Sequence, residues 1–439
     1  TLTLASTVVG NLDEFEMLEL HSQLVDKSIV VVGSDQSATQ RYWLLETVRQ
    51  FLLEKLIESG EEEDAREAHL NTMLALAERA YKERITNEER FTAELEGESD
   101  NMRVALECAR SLAAEKYLDL VGALAWFWII KTHLVEGREH LKAALELSAV
   151  EPSRSSRARA LWGAAQMFAL QGETSEARAW VDEARSMSRD LGDTRDIAFA
   201  LEGIGWTHFF RSEDEAACGA FEECLTLQRA SGDQQLIVRA MVGLAQVLVA
   251  LGRTDEAKSM AREIIDFAEA HNDKRSEHFG WHYLADCELI LGNCTESLRL
   301  YRQSLALAQA IGDKVEISFE VQGVAMSLAG LGLTSSALPG SDASSSDSFP
   351  ESPTRPASAS AFRNARVNLA IQLAGAVSAE WDRLGADIHV RFWDALLDRY
   401  LGAAERTLGN EAAETERNKG RALSFDEAVK LALGVEVGQ

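Results

Sequence analysis

Three-residue segments recur along the middle of the chain at a fixed step of forty residues. The four copies are Leu191-Gly192-Asp193, Ser231-Gly232-Asp233, His271-Asn272-Asp273 and Ile311-Gly312-Asp313. Each copy closes a stretch with helical periodicity. Self-similarity at this period indicates a stacked-helix solenoid, in which no unit buries its apolar face alone and neighbouring units complete the core. We therefore expect function on a surface rather than in a catalytic pocket.

Small residues keep the same register within each unit. A first-helix column holds Ala165, Gly205, Ala245, Ala285 and Ala325, and a second-helix column holds Ala177, Ala217, Ala257 and Ser297. Small side chains let two helices approach closely, so each unit is predicted to be an antiparallel helix pair. Glycine recurs between the paired helices, at Gly172, Gly252, Gly292 and Gly332, with Ser212 as the departure. Glycine suits the left-handed backbone that ends a helix.

These columns resemble the tetratricopeptide pattern, with several residues added to the second helix and the Gly-Asp turn. The composition agrees, because four of the five prolines lie between Pro339 and Pro356 and leave the rest of the chain free to be helical. The formal charge of -27 repels a polyanion, so nucleic acid is not expected as a partner for most of the surface.

Membrane insertion and export are not expected from the sequence. The most apolar run, Val121 to Ile130, is about half the length of a membrane span. No charged leader with a cleavable apolar segment opens the chain. The five cysteines are odd in number and show no paired spacing, which favours a reducing, cytoplasmic location.

The first 57 residues stand outside the repeat. A helical stretch from Asp13 to Leu24 is followed by the β-branched run Ile29 to Val32, a polar turn, the run Tyr42 to Leu45, and a helical stretch from Thr47 to Leu56. Helix, hairpin and exit helix in this order predict the back half of a winged helix. Its first helix is acidic, so binding to DNA through it is not expected.

A resemblance to a known family covers residues 12 to 439, apart from a Ser-rich insertion. The segments "LVDKSIVVV", "RYWLLETVRQFLLEKL", "LEGESDNMRVALECA", "WFWIIKTHLVEGREHLKAAL" and "GRALSFDEAVKLAL" occur in the same order as in the C-terminal half of bacterial STAND-type signalling ATPases with MalT-like tetratricopeptide sensors. The resemblance implies a sensor superhelix controlled by a protein, peptide or small effector and coupled to an ATPase.

The phosphate-binding motif G-x-x-x-x-G-K-[ST] is absent from the chain. The nucleotide-binding residues of the resembled family therefore cannot be carried over, and we expect no cofactor here. The resemblance implies that ATP binds an upstream or separate P-loop module. The chain is then a fragment, a split gene product or a degenerate paralogue.

The predicted fold is all-α: a tetratricopeptide-type α-solenoid preceded by a partial winged-helix domain with one β-hairpin. The predicted parts are the winged-helix remnant (1–57), connecting helices (58–111), the superhelix (112–332), a Ser/Pro-rich disordered insertion (333–361) and a C-terminal helical cap (362–439). The aromatic side chains of Trp381, Phe392, Trp393 and Tyr400 are expected to cover the open end of the stack. Ser424 and Glu427 predict a capping box.

Catalysis is not expected. His278 and His282 have the spacing that places two imidazoles on one helix face, with Asp286 one turn further, but packing histidines are the favoured interpretation over a metal site. Cys218, Cys224, Cys287 and Cys294 lack zinc-site spacing and are interpreted as buried small hydrophobes. No serine or cysteine stands in a nucleophile motif. The chain is therefore predicted not to be an enzyme.

The repeat register predicts a ligand or peptide groove lined by aromatic side chains that alternate with Arg, Gln and acids. The predicted residues are Trp126, Arg159, Trp162, Gln166, Glu202, Trp206, Phe210, Arg239, Gln246, Phe279, His282, Asp286 and Gln322. Such a surface suits an extended peptide, a protein or a small effector. The other interpretation is that the aromatic stripe packs against the next helix.

Two function classes follow. The first is a non-catalytic sensor or regulatory superhelix of a signal-transduction ATPase or transcriptional regulator, in which a ligand shifts the balance of two states. The alternative is a stand-alone tetratricopeptide scaffold for protein–protein interaction. The winged-helix remnant favours the first, because a pure scaffold has no use for it.

Overall fold

The computed structural model describes residues 1–10, 12–34, 40–84, 87–147, 154–171, 179–180, 182–184, 186–187, 194–333 and 357–434. The chain separates into two compact units. The first, which we call the N-terminal unit, comprises residues 1–127 and 140–160. The second, the repeat unit, comprises residues 128–139 and 161–439.

The N-terminal unit begins with helices around one β-hairpin. Its first elements are α1 (Leu2–Val9), α2 (Glu14–Asp26), β1 (Val30–Ser34), β2 (Gln40–Leu44) and α3 (Glu46–Ser59). The strands are antiparallel, and Val30 pairs with Leu44. The predicted hairpin is thus confirmed, and the winged helix remains a prediction.

Three helices then build the core of the N-terminal unit. They are α4 (Glu62–Glu83), α5 (Glu88–Gly97) and α6 (Ser99–Leu112). Met73, Phe91 and Leu106 are fully enclosed where these helices meet, and Tyr81 also lies inside. The helices that follow are α7 (Ala114–Ile130), α8 (Leu134–Leu147) and α9 (Arg154–Leu170).

The repeat unit continues as helix pairs in which each helix packs against the next in sequence. The helices are α10 (Thr194–Phe210), α11 (Asp214–Ser231), α12 (Gln234–Ala250), α13 (Thr254–His271), α14 (Lys274–Ile290), α15 (Cys294–Ile311) and α16 (Lys314–Gly332). The first helices of the pairs are α10, α12, α14 and α16. The predicted all-α tetratricopeptide-type solenoid is confirmed.

The recurring Gly-Asp turn has a physical cause in capping. Gly232 ends α11 in a left-handed conformation with φ 75°, and its N–H donates to Gln228. Asp233 then begins α12, because its carboxylate accepts from the backbone N–H of Gln235 and Leu236. Glycine serves the end of one helix and aspartate the start of the next. Asp273 and Asp313 cap α14 and α16 in the same way.

The turn inside each pair is also left-handed. Gly252 and Gly292 have φ values of 71° and 83°, and Ser212 keeps the same conformation at 57° without being glycine. The prediction was wrong for Gly332, which ends α16 without a left-handed φ. A Cβ there would lie 2.6 Å from Val367 Cγ2, so Gly332 permits the close approach of the next helix. Three predicted features lie outside the described residues: Gly172, Ala177 and the Leu191-Gly192-Asp193 segment.

The small-residue columns create slots for aromatic rings. A Cβ at Gly205 would lie 2.7 Å from Phe221 Cε2, and a Cβ at Gly243 would overlap the other side of that ring. The Phe221 ring therefore lies between α10 and α12. Ala325, in the same column as Gly205, and Ala257, in the second-helix column, are fully buried. The columns thus permit the close packing for which they were predicted.

The C-terminal part packs on α16. It contains α17 (Ala357–Leu384), α18 (Arg391–Leu397), one π-helical turn (Asp398–Gly402), α19 (Ala403–Leu408), α20 (Asn410–Arg421) and α21 (Phe425–Leu433). Helix α17 begins before Phe362, inside the stretch predicted to be disordered; residues 334–356 of that stretch lie outside the described residues. The capping box of Ser424 and Glu427 is confirmed. Among the described residues, no helix has the length and apolarity to span a membrane.

Candidate functional site

The predicted groove residues divide by their exposure. The side chains that remain partly exposed in the repeat unit are Trp162, Gln166, Trp206, Phe210, Arg239 and Phe279, which we call the first-helix surface. Those that are buried in the repeat unit are Glu202, Gln246, His282, Asp286 and Gln322.

Two predicted residues belong to the N-terminal unit and make their contacts there. Trp126 is 2% exposed, and its ring centroid lies 6.4 Å from that of Phe127. Arg159 forms an ion pair with Glu78 at 3.0 Å, and its guanidinium lies over the Tyr81 ring. Arg159 thus combines a charge pair with a cation–π contact.

Aromatic rings on the first-helix surface pack partly on their neighbours. Trp162 lies against Gly203 so closely that a Cβ at Gly203 would overlap its ring. Trp206 stacks on Phe210 with ring centroids 6.1 Å apart, and its edge meets Phe221 at 5.3 Å. Each ring therefore has one face in the protein and part of its area outside. Neither interpretation of the aromatic stripe is excluded by these contacts, and the groove remains a prediction.

Charge pairs join neighbouring first helices. Arg239 Nε donates to Glu202 at 2.9 Å between α12 and α10. At the boundary between α14 and α16, Arg275 pairs with Asp313 at 3.2 Å, and His282 Nδ1 lies 2.6 Å from Glu320 Oε1. The members of these pairs are 37 or 38 positions apart in sequence. The forty-residue step that aligns the helices thus also aligns opposite charges across them.

A buried acid–histidine cluster lies among α14, α15 and α16. Its members are His278, His282, Asp286, Tyr301, Ser304, Glu316 and Glu320. Tyr301 Oη donates to Asp286 Oδ1 at 2.6 Å, and Ser304 Oγ donates to Glu320 Oε1 at 3.0 Å. His282 lies between the two acids, because its Nε2 is 3.4 Å from Asp286 Oδ2. A buried charge is tolerated when it is paired and hydrogen-bonded in this way.

Burial and charge shift the pKa values in this cluster strongly. Burial alone would lower the pKa of His282, but the carboxylates of Asp286 and Glu320 outweigh burial and raise it from 6.5 to about 10. Burial raises the pKa of Asp286 from 3.8 to about 6 despite the nearby His282. Burial also raises the pKa of Tyr301 well above 10.0. His282 is therefore a protonated imidazole at neutral pH, held between acids.

The histidine pair of the sequence analysis has protein partners. His278 Nδ1 lies 2.7 Å from Ser304 Oγ, and His278 Nε2 lies 3.6 Å from Glu316. Within the described residues, no group of three or more His, Cys, Asp or Glu side chains has the arrangement of a metal site.

The predicted burial of the cysteines is seen at Cys218, Cys224, Cys287 and Cys294. All five cysteines of the chain are free thiols. Burial raises the pKa of Cys218 to about 11 and that of Cys287 to about 12. Because the thiolate is the reactive form, these thiols are poor nucleophiles at neutral pH.

The element that covers the cluster was not predicted from the sequence. Trp393 of α18 donates from Nε1 to Gln322 Oε1 at 2.8 Å, and its ring stacks on His282 with centroids 5.8 Å apart. Phe392 reaches Phe209 on α10 at 6.2 Å. These aromatic side chains were expected only at the open end of the stack. A contact between residues this far apart in sequence leaves no periodic signal.

Comparison with known proteins finds similar proteins that are named as transcriptional regulators. No protein-family model matches the chain. Proteins of Mycobacterium bovis and Mycobacterium tuberculosis, each named "Putative HTH-type transcriptional regulator", are 30% identical to it over 273 residues. That alignment covers 60% of this chain and 30% of each relative, so the chain spans under a third of their length.

Two solved structures align with most of the chain at low sequence identity. A Signal Transduction ATPase with Numerous Domains (STAND) protein with a tetratricopeptide repeat sensor, from Pyrococcus horikoshii, has a TM-score of 0.48 and 13% identity, covering 94% of this chain and 62% of that one. A Rap protein complexed with Competence and Sporulation Factor has a TM-score of 0.49 and 14% identity, covering 85% of this chain and 99% of that one.

Proposed function

We propose that this chain is the regulatory helical-repeat region of a transcriptional regulator and binds a protein or peptide partner without catalysis. The observation that carries the proposal is the 30% identity over 273 residues with the mycobacterial proteins named as HTH-type regulators. A P-loop ATPase module, in the same or a separate chain, is the further component that the resemblance implies. The partner would act by binding one of two states of the regulator more tightly.

The first-helix surface is the part of the repeat unit that we assign to the partner. Trp162, Trp206, Phe210 and Phe279 present partly exposed rings on successive first helices, and Arg239 lies among them. The few residues that supply most of the binding energy at protein interfaces are enriched in aromatic residues and arginine. Aromatic rings bury large areas with few rotatable bonds. A partner that crosses several first helices would contact all of them. This favours a peptide or protein over a small effector.

The test is selection of binders from a displayed library of short random peptides against the immobilised chain. We expect selected peptides to bind the wild-type chain, and the Trp206→Ala variant to bind them at least about tenfold more weakly. The matched control is Phe362→Ala, which removes a ring that is 70% exposed elsewhere on the repeat unit and should leave the affinity unchanged.

Melting temperatures of the same variants decide between the groove and the packing interpretation. The proposal requires Trp206→Ala to remain folded at the temperature of the binding assay. A large loss of stability with unchanged affinity per folded molecule would identify Trp206 as a core residue. Failure to select any peptide whose binding depends on Trp206 would also contradict the proposal.

A further inference from the structure

Residues 386–397, which we call the crossing segment, lie across the helix pairs of the repeat unit. Residues 386–390 belong to no helix or strand, and α18 follows. Asp387 N donates to the Leu170 carbonyl at the end of α9 at 3.1 Å, and Arg391 N donates to Ser212 Oγ at 3.3 Å. The segment thus runs from α9 to the turn between α10 and α11.

Three consecutive side chains then anchor the crossing segment. The Arg391 guanidinium pairs with the carboxylate of Asp214, whose side chain is only 5% exposed. Phe392 packs near Phe209 on α10. Trp393 fills the space beside Phe319 on α16, with ring centroids 5.5 Å apart, and covers the buried acid–histidine cluster. An arginine followed by two aromatic residues therefore makes contacts on α10, α11, α14 and α16.

The neighbouring cap helices have attachments of their own. Gly375 on α17 and Gly420 on α20 are so close to the opposite backbones that a Cβ at either position would overlap a carbonyl oxygen. Gly332 on α16 gives α17 the same kind of close contact. Arg302 on α15 also donates to the Ala432 carbonyl of α21 at 2.8 Å. The cap is thus held to the solenoid at points outside the crossing segment.

The ends of the crossing segment and its outer face are consistent with an element that can detach. Gly385, directly before it, has φ +64°, a conformation that glycine adopts without strain. Its outward side chains are largely in solvent, since the side chains of Asp387 and His389 are 72% and 70% exposed. Its buried apolar contacts come mainly from Ile388, Val390, Trp393 and Leu396.

We propose that the crossing segment occupies in cis the site at which an external peptide binds, and that this peptide presents the same chemistry, an arginine followed by two aromatic side chains. This inference rests on the proposed function and names its partner class. The site adjoins the first-helix surface, because Phe209, which Phe392 contacts, has its ring centroid 5.5 Å from that of Phe210. The buried Asp214 carboxylate selects a cation, and the Gln322 amide oxygen beside a ring-lined space selects an aromatic N–H donor. An external peptide must displace the segment, so binding and opening are coupled.

The probe for this proposal is a fluorescein-labelled synthetic peptide of residues 386–397, measured by anisotropy against the full chain. The opened variant carries Arg391→Ala and Trp393→Ala, which remove two anchors of the segment in cis. We expect the opened variant to bind the peptide at least about tenfold more tightly than the wild-type chain, because the site is no longer occupied. Phe362→Ala is the matched control and should bind as the wild-type chain does.

A charge swap tests the position of the site. Asp214→Arg, added to the opened variant, should weaken binding of the peptide at least about tenfold, because two cations then face each other. A second peptide with Arg391→Asp should bind this triple variant and not the opened variant. Binding that ignores the charge at position 214 would overturn the assignment.

The remaining outcomes concern the folding of the variants and the peptides selected from the random library. If the opened variant does not fold, Arg391→Ala alone replaces it, and unfolding of both would show that the segment is an integral part of the fold. A folded opened variant without peptide binding would also overturn the proposal. Random peptides whose binding depends on Trp206 but not on Asp214 would preserve the proposed function and remove this inference.

Discussion

Single residues in the repeat unit carry charge where helices meet. His282 is enclosed by Asp286, Glu320 and the stacked ring of Trp393. The two acids, rather than water, therefore stabilise the positive charge of its imidazolium. Breaking one partner of a buried pair leaves the other charge uncompensated, which costs about 3 to 5 kcal/mol. The stability of the packing between α14 and α16 therefore depends on whether His282 is protonated.

The free energy of unfolding should fall as pH rises because of His282. Its folded pKa, about 10, lies above the ordinary value of 6.5, so its contribution is fully present below 6.5 and is lost as pH rises through about 10. One proton gives a slope of up to about 1.4 kcal/mol per pH unit. We expect urea titrations between about pH 7 and about pH 9 to show this slope in the wild-type chain and not in His282→Gln.

Neighbouring groups do not reverse the sign of that slope. Because its pKa is raised to about 6, Asp286 contributes stability at low pH, and this contribution is lost as the pH rises through about 6, before the measured range begins. The buried Tyr301 titrates above that range. The control is His271→Gln, an exposed histidine at the end of α13, which should keep the wild-type slope. Equal slopes for wild type and His282→Gln would contradict the assignment of the charge.

Gly203→Ala should destabilise the repeat unit by about 1 to 3 kcal/mol, because the added methyl group overlaps the Trp162 ring and forces it to move. The matched control is Gly219→Ala on the neighbouring helix α11, where a Cβ meets nothing within 4 Å. There the alanine should be neutral or stabilising by up to about 1 kcal/mol. Similar unfolding midpoints for the two variants would show that Trp162 does not pack on α10.

The helices of the repeat begin and end at specific capping residues. The aspartate of each described Gly-Asp or Asn-Asp turn accepts hydrogen bonds from the first turn of the following helix. The left-handed position before the aspartate does not require glycine, since Asn272 occupies it with a φ of 55°. Asparagine is the side chain that adopts this conformation at least cost after glycine.

Asp233→Ala should lower the free energy of unfolding by about 1 kcal/mol, because two backbone N–H groups at the start of α12 lose their acceptor. Asp233→Asn keeps an acceptor oxygen and should recover most of that loss. Urea unfolding of both variants against wild type gives the comparison. A full loss in Asp233→Asn would point to charge rather than capping.

Local elements were predictable from the sequence because their signals are local. The forty-residue columns predicted the helix pairs, the hairpin followed from one β-branched and one aromatic run, and the capping box at Ser424 was readable as a short motif. The partners of the site residues were not predictable in this way. Trp393 lies 71 positions from Gln322, and Arg391 lies 177 positions from Asp214. Such pairs depend on tertiary packing, which leaves no periodic mark.

Apart from the crossing segment, the repeat unit is a chain of contacts between neighbouring helices, so a local loss of stability should remain largely local. His282→Gln should raise amide hydrogen exchange in α14, α15 and α16. The effect should be much smaller in α10 and α11, which do not contact the cluster except through intervening helices. Mass-spectrometric exchange on wild type and variant measures both regions. An equal increase across the repeat unit would indicate a single cooperative fold.

The charge pairs between first helices give the repeats a fixed order. Deleting residues 233–272 would leave Gly232 directly before Asp273, so the turn would be restored. The forty-residue step would then place Phe279 where Arg239 now meets Glu202, and a buried carboxylate would face a phenyl ring. The units therefore share one backbone arrangement, but the side chains at their boundaries match only in the native order. A shortened or duplicated array would inherit correct geometry with mismatched chemistry at its new junction.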